Sequence, residues 1–406
     1  MSSRERGGAM IRRPGDPRRE GPDARTALVL SGGGARGAYQ AGVLRGIARQ
    51  VPDLRLPILT GVSAGAINAA FLASRPEPIP EAIERLVDLW TGLETERILR
   101  TDVGSLFGNA IRVLLRVASG GGRLAPRVRG LVDTSPLRSL LEEIVRPERT
   151  ALNIREGRLR AVAVSATSYR SGRTLTFVQA APGAPSWDRA RHRSVPGSVT
   201  ADHVMASAAI PLFFPAWEVD GEWFGDGGIR QGNPLAPAQI LGADRILAVS
   251  ARFRFQGGAS RGSEVEGYPP PAHVVGLMLN SIFLDNLDVD AERLQRINRL
   301  VSRVPEERAW LLSERRIRLL VLRPSEDIGR IAARHEARMP KALRHLARGL
   351  GTRRVASPDL LSYILFESEY LRELVRLGER DAERSWLRVR RFFSGSTEPE
   401  PAAEET

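Results

Sequence analysis

Short apolar runs alternate with helical periodicities through the first 250 residues of the chain. "TALVL" (26–30) predicts a strand, and Ala38 to Gln50 predicts a helix with Tyr39, Val43 and Ile47 on one face. "LPILTG" (56–61) predicts a second strand, followed by a small-residue helix over 64–74 and another from about Pro80 to Gly92. "LRAVAVSATS" (159–168) and "RTLTFV" (173–178) predict further strands. "WEVDGEWF" (217–224) sets Asp220-Gly221 between alternating apolar positions, the pattern of a hairpin. A helix over "PLAPAQILGA" and a strand over "DRILAVSA" (244–251) complete this half. Strands alternating with helices predict an α/β sheet with a large parallel part.

From about Pro270 the pattern turns helical. Val274 to Val304 predicts one long amphipathic helix, "RIRLLVL" (316–322) a returning strand, and Ser357 as N-cap with Pro358 at N1 opens a last helical block. Residues 1–25, rich in Arg, Gly and Pro, predict a disordered basic arm, and the acidic end of the chain (393–406) a disordered tail. The organisation expected is a main domain over 26–255 with a mainly helical portion over 256–392 packed on it.

The 406 residues can bury a substantial core, and 42% hydrophobic with 26% charged residues is ordinary globular composition. No apolar run is long enough to span a bilayer, and the first 25 residues lack the apolar stretch of a Sec signal peptide. The expectation is a cytoplasmic protein, with peripheral contact at an anionic membrane surface or export by a route other than Sec as alternatives. The absence of cysteine removes disulfides, thiolate nucleophiles and thiolate-bound metals. A net charge of +13 suits an anionic partner, yet only Lys341 among 60 basic residues is lysine, so base composition of the gene explains the arginines equally well.

Two glycine motifs carry the chemistry. Gly32-Gly33-Gly34-Ala35-Arg36-Gly37 fits G-x-G-x-x-G between a strand and a helix, where backbone N–H groups bind anions. A dinucleotide site would also want an acidic residue at the end of the second strand; Asp53 falls before that strand, at its wrong end. The position after the strand holds Gly61-Val62-Ser63-Ala64-Gly65 instead, the G-x-S-x-G of a nucleophile elbow, with Gly61 and Gly65 small enough for the tight turn. A serine needs a base. His192, His203, His273, His335 and His345 have no recognisable catalytic setting, whereas Asp226 stands out, flanked by Gly225, Gly227 and Gly228. A turn-capping role for Asp226 is the competing reading.

Taken together, "GGGARG", "GVSAG" and "DGG", with "SAAIPLFFP" (207–215) before the last, resemble the patatin-like phospholipase family over about residues 26–255. The helical end "SPDLLSYILFESEYLRELVRLGERDA" is similar to bacterial members. Ser31 stands where many members carry Asp. The resemblance implies a three-layer α/β/α sandwich of patatin type with a mainly parallel central sheet and a helical C-terminal portion. It implies a Ser-Asp dyad with Ser63 as nucleophile and Asp226 as base, and an oxyanion hole from the loop Gly32, Gly33, Gly34, Arg36 and Gly37, with Gly33 and Gly34 its main donors. Arg36 is expected either to favour an anionic head group or to pair with a carboxylate. No cofactor and no metal are implied. The substrate class that the resemblance implies is phospholipid or lysophospholipid, cleaved through an acyl-enzyme. Carboxylesterase or thioesterase action on smaller acyl groups, a nucleotide-binding oxidoreductase, and an inactive lipid-binding scaffold are the alternatives.

Residues 97–130 carry seven arginines against one acidic residue, Asp102. Within them "SLFGNAIRVLLRVAS" (105–119) predicts a basic amphipathic helix, either a lid or cap over the core or a surface for anionic lipid. "DNLDVDAE" (285–292) lacks the central glycine of a calcium loop and predicts the charged face or the start of a helix. No nucleic-acid motif accompanies the charge, and oligomeric state is not legible.

Overall fold

The computed structural model describes residues 25–100, 132–211, 213–253, 268–305, 308, 314–355 and 357–394. The predicted arm up to Ala24, the basic segment from 101 to 130 and the tail beyond Ser394 lie outside the described residues.

In chain order the strands are β1 (Thr26–Leu30), β2 (Ile58–Gly61), β3 (Ala161–Ser168), β4 (Thr174–Ala180), β5 (His192–Pro196), β6 (Trp217–Val219), β7 (Glu222–Asp226), β8 (Arg245–Val249) and β9 (Arg318–Leu322). They form one sheet, β5-β4-β3-β2-β1-β8-β9, with β7 also pairing β3 and β6 pairing β7. The centre from β3 to β9 is parallel; β4 and β7 run antiparallel to β3.

Alternation along the strands gives the sheet two buried faces. Leu28 and Leu30 of β1 enter the larger apolar core, and Ala27 and Val29 a second core on the opposite side. Over the first face lie α1 (Gly37–Gln50), α2 (Ala64–Ala73) and α3 (Ile79–Thr91), joined by α4 (Ser135–Ile144) and α5 (Pro147–Arg155). The chain then passes through α6 (Ala201–Ser207), α7 (Ala236–Ile240) and α8 (Pro271–Asn280). A π-helical turn (Ser281–Asp285) joins α8 to α9 (Asn286–Val301), whose Leu287, Ala291 and Leu294 cover the second face beside Ala238 of α7. The architecture is therefore an α/β/α sandwich around a mostly parallel sheet.

The C-terminal helices are α10 (Ile328–His335), α11 (Lys341–Gly349), α12 (Asp359–Ile364), α13 (Ser368–Arg384) and α14 (Trp386–Ser394). α13 packs on α1 so closely that a Cβ on Gly42 would lie 2.1 Å from the Val375 carbonyl oxygen, and one on Gly378 would lie 2.3 Å from that of Tyr39. Tyr39 Oη also donates to Asp381 at 3.2 Å. This helical portion thus grips the helix that follows the first glycine motif.

Several predicted elements differ. The long helix expected over 274–304 is broken by the π-turn, and "DNLDVDAE" runs from that turn into α9: Asp288 pairs with Arg323 at 2.6 Å, and Asp290 accepts from Leu235 N at 2.9 Å. Ser357 is not an N-cap. Its hydroxyl donates to Asp327 at 2.9 Å, Pro358 takes the cap position, and the block divides into α12, α13 and α14. The strand β5 was not predicted.

Candidate active site

The carboxyl ends of β1 and β2 lie side by side, Leu30 opposite Gly61, and Gly61 is in turn opposite Val164 of β3. Ligands bind in open α/β sheets at such ends. After β1 the chain turns through Ser31, Gly32 and Gly33 into a short 3₁₀ turn (Gly34–Arg36) and then α1. Gly34 has φ +55°, and a Cβ there would lie 2.2 Å from the backbone oxygen of Tyr363 on α12. Among the described residues the N–H groups of Gly32, Gly33 and Gly34 donate to no protein acceptor.

After β2, Ser63 sits at φ +54° and ψ −127°, a region that L-residues rarely occupy and that costs about 1–3 kcal/mol. The turn is tight for a steric reason. A Cβ on Gly61 would lie 2.1 Å from Gly65 O, and one on Gly65 would lie 2.3 Å from Leu30 O. Ser63 is 1% exposed, and α2 begins directly behind it. Its backbone N–H donates to Ser207 Oγ at 2.9 Å, and Ser207 Oγ donates to Ser165 O at 2.7 Å. Ser207, the first residue of "SAAIPLFFP", therefore ties the strained turn to β3. Sequence reasoning noticed that segment but gave it no role.

Asp226 ends β7, opposite Ala166 of β3. Its N–H donates to Ala209 O at 2.9 Å, and its carbonyl accepts from Thr167 Oγ1 at 2.9 Å. Oδ1 accepts from Gly228 N at 2.9 Å, whereas Oδ2 is buried with no hydrogen bond of standard length and angle. Burial pushes the carboxyl up to about 7, against the Gly228 N–H and the neighbouring Ser63 hydroxyl, which both pull it down. Ser63 and Asp226 are thus adjacent without a well-aligned bond. Phe283 of the π-turn sits over both loops: its ring would lie 2.8 Å from a Cβ on Gly32 and 2.5 Å from one on Gly228.

Not every expected residue joins this cluster. Arg36 is buried, with Nε on Ser362 Oγ (2.8 Å), Nη2 on Asp359 Oδ1 (2.7 Å) and its guanidinium 4.4 Å from the centre of the Tyr363 ring. Its backbone N–H donates to Gly33 O at 3.1 Å. Both its charge and its amide are consumed inside the fold, so the carboxylate-pairing expectation describes it and the head-group expectation does not. The Gly37 amide is used on Ala35 and Gly34 carbonyls, and its missing side chain makes room for Trp90. Asp53 lies exposed in the turn before β2, remote from the glycine loop along that strand. His203 accepts from Thr200 N inside the cap of α6, and His335 pairs with Glu373 at 2.6 Å. Among the described residues there is no group of side chains able to hold a metal and no helix long and apolar enough to cross a membrane.

No curated protein matches the sequence. Similar solved structures include VipD from Legionella pneumophila, 15% identical with a TM-score of 0.33 over 87% of this chain and 67% of that one. A human GIVD cytosolic phospholipase A2, in complex with methyl gamma-linolenyl fluorophosphonate, is 12% identical with a TM-score of 0.43 over 92% and 60%. The type III effector protein ExoU is 15% identical with a TM-score of 0.33 over 87% and 54%. The chain spans 54 to 67% of the length of these three. The family described as patatin-like phospholipase matches residues 28–238, which contain both glycine motifs, Ser63, Ser207 and Asp226. This chain belongs to the patatin-like phospholipase family.

Proposed function

We propose that the protein is a serine acyl hydrolase that cleaves fatty-acyl esters of phospholipids or lysophospholipids with Ser63 as nucleophile and Asp226 as its base. The observation that carries this reading is a fully buried carboxylate with one unpaired oxygen, beside a serine held in a strained turn.

In the first half-reaction Asp226 Oδ2 takes the Ser63 hydroxyl proton as Oγ attacks the ester carbonyl carbon. The carbonyl oxygen becomes an oxyanion, and the free N–H groups of Gly33 and Gly34, assisted by Gly32, are the donors available to it. Each such donor is worth about 3 kcal/mol when preorganised in a site without water. The tetrahedral intermediate collapses, the C–O bond to the alcohol breaks, and Asp226 returns the proton to the leaving alkoxide. Water then repeats the sequence on the acyl-enzyme: Asp226 accepts its proton, and Ser63 leaves as the hydroxyl. A carboxylate with an ordinary pKa would be a weak base for this work; one raised toward 7 is matched to neutral pH. The α2 N-terminus behind Ser63 adds a favourable field for the negative charge.

Release of fatty acid from phosphatidylcholine and lysophosphatidylcholine vesicles tests the substrate class, with short-chain p-nitrophenyl esters in parallel. Fatty acid release by wild type, absent in Ser63→Ala and Asp226→Asn, is expected. Turnover of the short esters alone would assign a carboxylesterase instead.

A further inference from the structure

Beyond Asp226 the chain continues through Arg230 and Gln231 along a concavity whose lining includes neither Ser63 nor Asp226. It is a cleft of about 100 Å³, walled by Thr174, Thr176, Arg191, His192, Arg230 and Gln231, and among the described residues no carboxylate lines it. Its construction follows from the strands. Thr174 and Thr176 are two apart on β4 and so project to one side, and His192 of β5 pairs directly with Thr174. Arg191 is fixed by its carbonyl, which accepts from Thr174 N at 2.9 Å. Arg230 is anchored from the opposite rim by Nε on Gly172 O at 3.1 Å.

One feature of this cleft has no internal explanation. Thr174 is 3% exposed, yet its Oγ1 is buried without a hydrogen-bond partner, an unfavourable state for a hydroxyl. At its rim Arg191 and Arg230 are exposed and, among the described residues, pair with no carboxylate, whereas the neighbouring Arg173 and Arg193 both pair with Asp188. Two guanidinium groups and a buried hydroxyl lacking a partner around one cleft match a tetrahedral oxyanion with several acceptor oxygens.

We propose that this cleft is a binding site for a phosphate group, clamped by Arg191 and Arg230 and receiving a hydrogen bond from Thr174 Oγ1. The wall of the cleft also touches the support of the candidate nucleophile. Gln231 Nε2 donates to Ser165 Oγ at 3.2 Å, Thr176 Oγ1 lies 3.0 Å from that same oxygen, and the Ser165 carbonyl accepts from Ser207, which holds Ser63 N. The phosphate belongs to a free phosphate compound or to a lipid head group; the chemistry of recognition is the same.

The test is isothermal titration calorimetry on the full chain carrying Ser63→Ala, so that binding is read without turnover and independently of the hydrolase reading. The probes are inorganic phosphate and dihexanoyl phosphatidic acid below its micellar concentration. Saturable 1:1 binding is expected, weakened about tenfold or more by Arg191→Gln with Arg230→Gln, and severalfold by Thr174→Val. Thr174→Val preserves shape, and a thermal midpoint without ligand no lower than that of the parent shows that it folds. Equal affinity for the two probes assigns a free phosphate compound; phosphatidic acid at least about tenfold tighter, lost in the same variants, assigns a lipid head group. No saturable binding of either probe to about 10 mM, or binding unchanged in all three substitutions, overturns the proposal.

Discussion

Asp226→Asn separates the cost of a buried charge from its use. The native Asp226 carboxyl is pushed up to about 7 by burial, while in the unfolded chain it titrates at its ordinary value of 3.8. Between those values the native state holds a proton that the unfolded state has released, so stability falls as pH rises and levels off once the folded group has ionised. At 1.36 kcal/mol per pH unit, the change from pH 5 to pH 8 is about 3 kcal/mol, all of it a loss. An Asn side chain keeps the shape and cannot ionise. Urea unfolding of wild type and Asp226→Asn, followed by far-UV circular dichroism at pH 5 and pH 8, reads the difference. The Asn variant is expected to gain about 3 kcal/mol on wild type over that interval while losing hydrolysis. A stability difference that stays constant between the two pH values would refute the raised pKa, and with it the reason for assigning Asp226 as a base.

Three further outcomes follow from the geometry. The pH profile of kcat/KM is expected to rise through an inflection near 7, because the base works only when ionised; an inflection near 4 would assign an exposed carboxylate instead. Gly34→Ala puts a methyl group 2.2 Å from the Tyr363 carbonyl and a side chain at φ +55°, so it should lower stability by at least about 2 kcal/mol by thermal or urea unfolding, whereas an unchanged midpoint would show that α12 gives way. Ser207→Ala leaves the Ser63 N–H and the Ser165 carbonyl without their shared partner; a loss of about 1–3 kcal/mol and at least a tenfold fall in kcat with little change in KM are expected, and normal turnover would remove Ser207 from the support of the elbow.

What the sequence disclosed was what is local. The glycine loop, the elbow and the Asp-Gly-Gly turn each carry their requirement within five or six residues, and the helices and strands around them keep clear periodicities. Residues whose roles depend on distant chain were less legible. Arg36 looks like a loop cation until Asp359 and Ser362, more than 320 residues away, are folded against it. Ser207 is an ordinary small residue in sequence and a bracket for Ser63 in space. β5 was missed because it is the edge strand, mostly polar, with only Ser194 fully buried. The π-turn is invisible to helical periodicity: the apolar pattern runs straight through Ser281–Asp285, and only the fold shows Phe283 packed over Gly32 and Gly228.

The central claim is that Ser63 is an activated nucleophile. Capture with a fluorophosphonate probe, read by intact mass and peptide mapping on wild type, Ser63→Ala and Asp226→Asn, tests it without knowledge of the substrate. One adduct located on Ser63, absent from Ser63→Ala and strongly slowed in Asp226→Asn, is the predicted result. An adduct that persists in Ser63→Ala, or folded wild type that remains unlabelled in the presence of phospholipid vesicles, would contradict it.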